Sequence, residues 1–273
     1  MPTIPDPEAV AGALARLRER TPLVHSLTNV VSANVLTNAL LAAGATNAII
    51  DNPREAGEFA RIADAVLINL GTPDDEQARA FTAAAESAHA AGHPWVLDPV
   101  GVGGLSWRTE LAGGLLAHRP TAIRGNPSEI AAVAGLESTS RGVDSASDAA
   151  ESVPAARTLL EVSEVVSASG PIDYITGRTA DGIATARVHG GSEWLPKITA
   201  TGCALGALGA AYLAVAEPFT GIVAAHAHFS VAAEFAEPHA NGPGTFVPAF
   251  LDTLAAVGPD DLRAHARIDS AEH

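Results

Sequence analysis

The chain has 273 residues, 47% of them hydrophobic and only 4% aromatic, so it can bury a sizeable core made of small side chains and close backbone approach. A formal net charge of −15 excludes the basic stripe with which proteins neutralise nucleic-acid phosphates. A single cysteine excludes an internal disulfide and any cysteine-clustered metal site. The opening MPTIPDPEAV has neither the basic region nor the apolar run of a signal peptide. The longest apolar stretch, beginning near Cys203, falls short of the roughly 18 residues of a membrane span, so a soluble cytoplasmic protein with no membrane partner is expected.

In chain order, an amphipathic lead over Glu8–Arg20 precedes short apolar runs at 22–29, 45–50, 65–71, 94–101, 121–126 and 165–170, which read as strands. Alanine-rich segments of helical length lie between them, for example Asp74–Ala91 and Ser147–Val162. Strand–helix alternation at this spacing predicts βαβ units and a mostly parallel sheet, and strands apolar on both sides predict helices on both faces. DYITGRTADGIATARVHGG, residues 173–191, reads as an antiparallel hairpin turning at Asp181-Gly182. Beyond Cys203 the chain reads as helical, and RIDSAEH at the end as a frayed tail from about residue 266. With no repeat, linker or shift in composition, residues 1–273 read as one domain, the first 20 or so forming a lead helix.

Five strands end in polar or glycine residues: Thr28-Asn29, Asn69-Leu70-Gly71, Asp98-Pro99, Arg124-Gly125-Asn126 and Ser169-Gly170. Ligands of open α/β sheets bind at the carboxyl ends of the strands, so these residues are collected where a site is expected. Each alone is ordinary punctuation.

Thr199-Ala200-Thr201-Gly202-Cys203 feeds a helix whose first amides are unpaired, an anion site in waiting. A cysteine at a helix start is expected to have a lowered pKa and to accept a proton, whereas a small buried hydrophobe beside a threonine cap is the plainer reading of this stretch alone. Asp98 and Glu129 suit Mg²⁺ bound with nucleotide phosphates; equally, Asp98 can make a turn and Glu129 can close a capping box with Asn126 and Pro127. Arg124 can contact phosphate oxygens or pair with a carboxylate, and Ser169-Gly170 can close round a phosphate or end a strand. His226 and His228, two apart, face different sides of a helix and make no metal pair; His25 reads as a satisfied core residue, and His89, His93 and His118 as surface. No GxxxxGK[ST] loop is present, and no GxGxxG follows the first strand.

VHSLTNVVSANVLTNALLAAGAT, INLGT, VLDPVGVGG, IRGNPSEIAAVAG, GVDS, the Ser-Gly before IDYIT, TATGC and GPGTF run in order from about residue 22 to 250. In these motifs the chain resembles the hydroxyethylthiazole kinases of the ribokinase-like superfamily. The resemblance implies a ribokinase-like fold, ATP as co-substrate, Mg²⁺, phosphorylation of 5-(2-hydroxyethyl)-4-methylthiazole for thiamine salvage, and a homotrimer with the thiazole between subunits. By position it implies ATP contacts at Arg124 and Ser169, Mg²⁺ contacts at Asp98 and Glu129 directly or through water, and a catalytic role for Cys203. Thr201 and Gly202 fall in the anion hole, and Asn29, Ile49, Gly71 and Ala200 in the thiazole region.

Three positions depart from the family's usual pattern: Ala200 replaces the first glycine of TGTGC, Ile49 stands where methionine is common, and Ser169 where threonine is. Alanine keeps the N–H but is disfavoured at positive φ, and a β-branched residue narrows or shifts a pocket. These departures leave two alternatives open: a related kinase of another small alcohol such as a hydroxymethylpyrimidine, or a nucleotide- and thiazole-binding sensor that has lost turnover.

Overall fold

Strands apolar on both sides are stable only between two layers of helices, and the computed structural model, which describes residues 3–135 and 149–271, has that architecture. The strands are β1 (Leu23–Leu27), β2 (Thr46–Ala48), β3 (Ala65–Asn69), β4 (Trp95–Asp98), β5 (Ala122–Gly125), β6 (Val165–Ala168), β7 (Ile172–Thr179), β8 (Gly182–His189) and β9 (Arg267–Ser270). They form one sheet in the order β2-β1-β3-β4-β5-β6-β7-β8-β9. The first six are parallel, and β7, β8 and β9 continue the sheet antiparallel.

The helices are α1 (Pro7–Arg20), α2 (Ala33–Ala43), α3 (Ala56–Phe59), α4 (Asp75–Ala91), α5 (Ser106–Leu116), α6 (Pro127–Val133), α7 (Val153–Leu159), α8 (Thr201–Leu213), α9 (Pro218–Ala236), α10 (Pro243–Ala256) and α11 (Pro259–His265). The period-two pleat sorts strand residues between two cores. Val24, Leu67, Val96, Ala122 and Val165 pack with α1, α2, α8, α9 and α10. Val66, Ile68, Trp95, Leu97, Ile123 and Val166 pack with α4, α5, α6 and α7. The same alternation aims Asn69 and Asp98, the last residues of β3 and β4, and Arg124, the penultimate residue of β5, at the α8 layer. Parity therefore gathers the polar strand ends on one face.

The structure differs from the sequence expectations in four places. The hairpin turns at Ala180-Asp181, because Gly182, with φ +136°, is already paired with Thr179 as the first residue of β8. Within 147–162, Ala149–Ser152 is a 3₁₀ turn and the helix begins at Val153, with Pro154 in its first turn. The tail is not frayed at Arg267–Ser270: it forms β9, where Arg187 and His189 of β8 both reach Asp269, at 2.6 and 3.2 Å. His25 is only half satisfied: Nε2 meets the Ile50 carbonyl at 2.8 Å while the buried Nδ1 has no partner. The GVDS motif, 142–145, lies outside the described residues.

His226 and His228 do face apart. His228 is wholly buried between the Tyr212 hydroxyl, 3.0 Å from Nδ1, and the Leu254 carbonyl, 3.0 Å from Nε2. A carbonyl only accepts, so Nε2 carries a proton; burial keeps the ring neutral, and Nδ1 then accepts from the tyrosine. Burial pushes the His228 pKa from 6.5 down to about 4. The unfolded chain therefore binds the extra proton between these values, and this contribution to stability, complete above pH 6.5, is lost as pH falls to about 4. The expected loss is about 3 kcal/mol. In denaturant titrations, His228→Gln should flatten this part of the stability–pH curve; an unchanged slope would assign it elsewhere.

Candidate active site

The site is a row across the carboxyl end of the sheet. Asn69 and Asp98 are register partners on β3 and β4. Carrying the β4–β5 register one residue beyond Leu97↔Ile123 sets Arg124 opposite Asp98. Asn69 Nδ2 donates to Asp98 Oδ2 at 2.8 Å and to Cys203 Sγ at 3.2 Å. Its Oδ1 accepts from Asn29 Nδ2 at 3.2 Å and from the Gly71 amide at 3.0 Å. All four capacities of the amide are used, and reversing it would set a carbonyl against the carboxylate. Asn69 is thus the hub that joins the predicted residues Asn29, Gly71, Asp98 and Cys203.

Arg124 closes the other side. Its Nη2 donates to Ser169 Oγ at 2.8 Å, while Nη1 is 3.9 Å from Asp98 Oδ2 and the buried Nε has no partner. This is too loose to be a dedicated ion pair, so the guanidinium retains donors for a ligand. Glu129 is bound by the backbone: Oε1 accepts from the Gly101 amide at 3.0 Å and Oε2 from the Asn126 amide at 2.9 Å. The capping box expected from Asn126-Pro127-Ser128-Glu129 is therefore present.

α8 aims its start at this row. Ala200 caps it with φ +66° and ψ 7°, and no side chain satisfies the first amides. The amides of Thr201, Gly202 and Cys203 thus remain open to an anion. Thr201 contributes through its amide, since its hydroxyl proton goes to the carbonyls of Leu195 and Ile198, at 3.0 and 3.3 Å. At Gly202 a Cβ would lie 2.8 Å from Arg124 Nη1, so a side chain there would displace the guanidinium from the helix start.

Two titratable groups are strongly displaced. Burial raises Asp98 to about 7; the charge of Arg124 opposes this, and Glu129 adds to it. Burial also pushes the Cys203 thiol up to about 11, reinforced by the Asp98 carboxylate and only partly offset by Arg124. The expectation of a lowered cysteine pKa at the helix start is therefore corrected. Desolvation beside a carboxylate outweighs the helix terminus, and the resident species at neutral pH is the thiol.

A cavity of about 730 Å³ opens beside Arg124, Ser169, Gly170, Thr201 and Gly202. Ile49 is not among the residues that line it and lies just after the edge strand β2, 37% exposed. Among the described residues no three His, Cys, Asp or Glu side chains converge as a metal cage. Asp98 Oδ1, however, is buried without a partner, as suits an oxygen awaiting a cation that keeps water and phosphate as its other ligands. Sequence reasoning placed Asn69 among the five polar strand ends where a site is expected but gave it no individual role; the parity it shares with Asp98 and Arg124 was the signal.

A mostly parallel sheet carrying a carboxylate, an arginine and an uncapped helix start at its carboxyl edge is suited to hold a phosphate-bearing ligand. The fold matches that of the pyridoxal kinase from Staphylococcus aureus, solved with AMP-PCP and pyridoxal, with a TM-score of 0.58 at 15% identity over 78% of this chain and 88% of that one. A sequence profile of the hydroxyethylthiazole kinase family matches residues 14–260, and the chain belongs to that family. It is 60% identical to the hydroxyethylthiazole kinase of Rhodococcus erythropolis over 265 residues, covering 96% of this chain and 94% of the relative. Identity to the Kineococcus radiotolerans hydroxyethylthiazole kinase is 50% with the same coverage. The hydroxyethylthiazole kinase structure from Pyrococcus horikoshii superposes with a TM-score of 0.85 at 37% identity, covering 96% of this chain and 99% of that one.

Ala200 occupies the left-handed region that an L residue enters at a cost. Ala200→Gly relieves this strain but adds freedom to the unfolded chain, so a net gain of about 0.5–1 kcal/mol is expected. Thermal denaturation should show a rise in Tm; a fall would mean that the alanine methyl contributes packing that outweighs the strain.

Proposed function

We propose that the protein transfers the γ-phosphoryl group of ATP to the hydroxyl of 5-(2-hydroxyethyl)-4-methylthiazole, a step of thiamine salvage. The observation that carries this reading is the uncapped start of α8 held against Arg124, in the same row as Asp98 and Cys203. Phosphoryl transfer needs positioning and charge stabilisation more than covalent help, and these groups supply both.

Arg124 and Ser169 bind the phosphates of ATP, and the amides of Thr201, Gly202 and Cys203 face the charge that develops on the moving group. Asp98, with its free Oδ1, and Glu129, through water, hold Mg²⁺. When bound, the ion offsets phosphate charge that this acidic chain otherwise repels. Asn29, Gly71 and Ala200 border the substrate alcohol. Val30, Val31 and Ile49 are apolar yet exposed, as expected if a homotrimer encloses the thiazole between subunits. Among the described residues no helix is long and apolar enough to cross a membrane, and a cytoplasmic location suits the reading.

Cys203 touches the substrate hydroxyl and orients it. A thiol held up to about 11 is not a ready base. In a loose transition state the proton leaves late, from an oxygen already made acidic by its new bond to phosphorus, and a phosphoryl oxygen can receive it.

Release of ADP by the purified protein with Mg-ATP and hydroxyethylthiazole tests the reading. Binding of both ligands without turnover would favour the sensor, and turnover only with another alcohol would favour a related kinase. Cys203→Ala is expected to lower kcat by about 10–100-fold, with the KM for ATP within about twofold of wild type. Cys203→Asp, which restores an acceptor that Asn69 can still hold, should recover much of the loss. Full activity in the alanine variant would return Cys203 to packing.

A further inference from the structure

Asp173 lines the cavity and pairs with His226, and both lie outside the set of residues assigned to transfer. Asp173 is the second residue of β7. Its Oδ1 accepts from the Gly170 amide at 2.9 Å, and its Oδ2 lies 2.7 Å from Nδ1 of His226 on α9. The histidine side chain is 1% exposed and the aspartate 13%. An ionised carboxylate only accepts, so Nδ1 carries the ring proton and donates it.

The connection runs directly to the site. Ser169, the neighbour of Gly170, accepts the Arg124 Nη2 bond at 2.8 Å and is tied to the Gly125 carbonyl through its own amide at 2.9 Å. Pro171 has no N–H, so the Gly170 amide is the remaining donor of the turn, and Asp173 receives it. The turn is close-packed as well, since a Cβ on Gly170 would sit 3.1 Å from the Ala149 methyl. A carboxylate on the wall of a phosphate-binding cavity would repel its ligand if it were free to swing. Here both oxygens are engaged, one by the turn and one by a buried imidazole.

We propose that His226 and Asp173 form a brace that holds the Ser169-Gly170 turn, and through it Arg124, in position for the nucleotide. The proposal rests on the reading that Arg124 and Ser169 meet the phosphates of ATP. His226 and Asp173 are positioning residues: neither needs to touch substrate, and losing either leaves the alcohol side of the row intact.

The test compares Mg-ATP binding by calorimetry with the separate KM values for ATP and hydroxyethylthiazole. His226→Leu should raise both the Kd and the KM for ATP about tenfold, as expected for losing a hydrogen bond to a charged group, with the KM for the alcohol within about twofold. His226→Asn, whose side-chain amide can donate from nearly the position of Nδ1, should bring the ATP values back to within about threefold of wild type. A merely structural role would move both KM values together and show no rescue, and that result overturns the brace. So does unchanged ATP affinity in folded His226→Leu. If His226→Leu does not fold, Asp173→Ala carries the same comparison. Wild-type protein that fails to bind Mg-ATP removes the nucleotide reading, and the brace with it. Wild type that binds ATP while the variants bind it equally well removes the brace alone.

Discussion

Withdrawing the Asp98 carboxylate from water at the end of β4 is the constraint on which the site depends. Burial of a charge is tolerated only with compensation, and here the compensation is incomplete: one hydrogen bond from Asn69, an arginine at 3.9 Å, and nothing on Oδ1. The displacement of Asp98 to about 7 follows from this shortfall. Glu129, close enough to contribute to the same shift, is by contrast pinned through both oxygens to backbone amides. One carboxylate holds the loop geometry, and the other is left wanting positive charge. A cation bound with the proposed nucleotide would meet that demand.

The same balance explains how a chain of net charge −15 can accept a polyphosphate. Affinity is set by local fields where the low-dielectric walls of a cleft focus them, and much less by the total. Around the cavity those fields come from a guanidinium with uncommitted donors and from three amides at the start of α8. Two of the carboxylates near them are engaged elsewhere: Glu129 by the backbone, and Asp173 by Gly170 and His226.

Much of this was legible in the sequence. Apolar runs gave the strands, and their polar ends gave Asn29, Asp98, Arg124 and Ser169, because a ligand-binding strand end has to look unlike a buried strand. Asn69 was seen among the strand ends but given no role, because Asn-Leu-Gly also spells an ordinary strand exit, and only the register beside Asp98 reveals that its amide is fully used. The state of Cys203 was misjudged from local geometry: a helix start favours thiolate, but burial and a neighbouring carboxylate, both consequences of tertiary packing, win. β9 was invisible because a short polar segment becomes a strand only when an edge such as β8 offers it pairing and partners. The departure at Ala200 was read correctly as a question of φ, and its left-handed geometry is the answer.

The composition takes on a mechanical meaning at α8. Glycines are poor helix formers, yet this helix carries Gly202, Gly206 and Gly209. A Cβ at Gly202 would press on Arg124 at 2.8 Å, and one at Gly206 would lie 3.3 Å from Asp98 Oδ2. Side chains at these positions would press on the arginine and carboxylate ends that the helix start approaches. The lost propensity is offset by burial, since Ala204 through Leu213 are all buried in the core on that face. Scarce aromatics and abundant small residues are therefore a requirement of the site as well as a feature of the core: α8 must come close enough to the charged strand ends for helix start, guanidinium and carboxylate to act on one ligand.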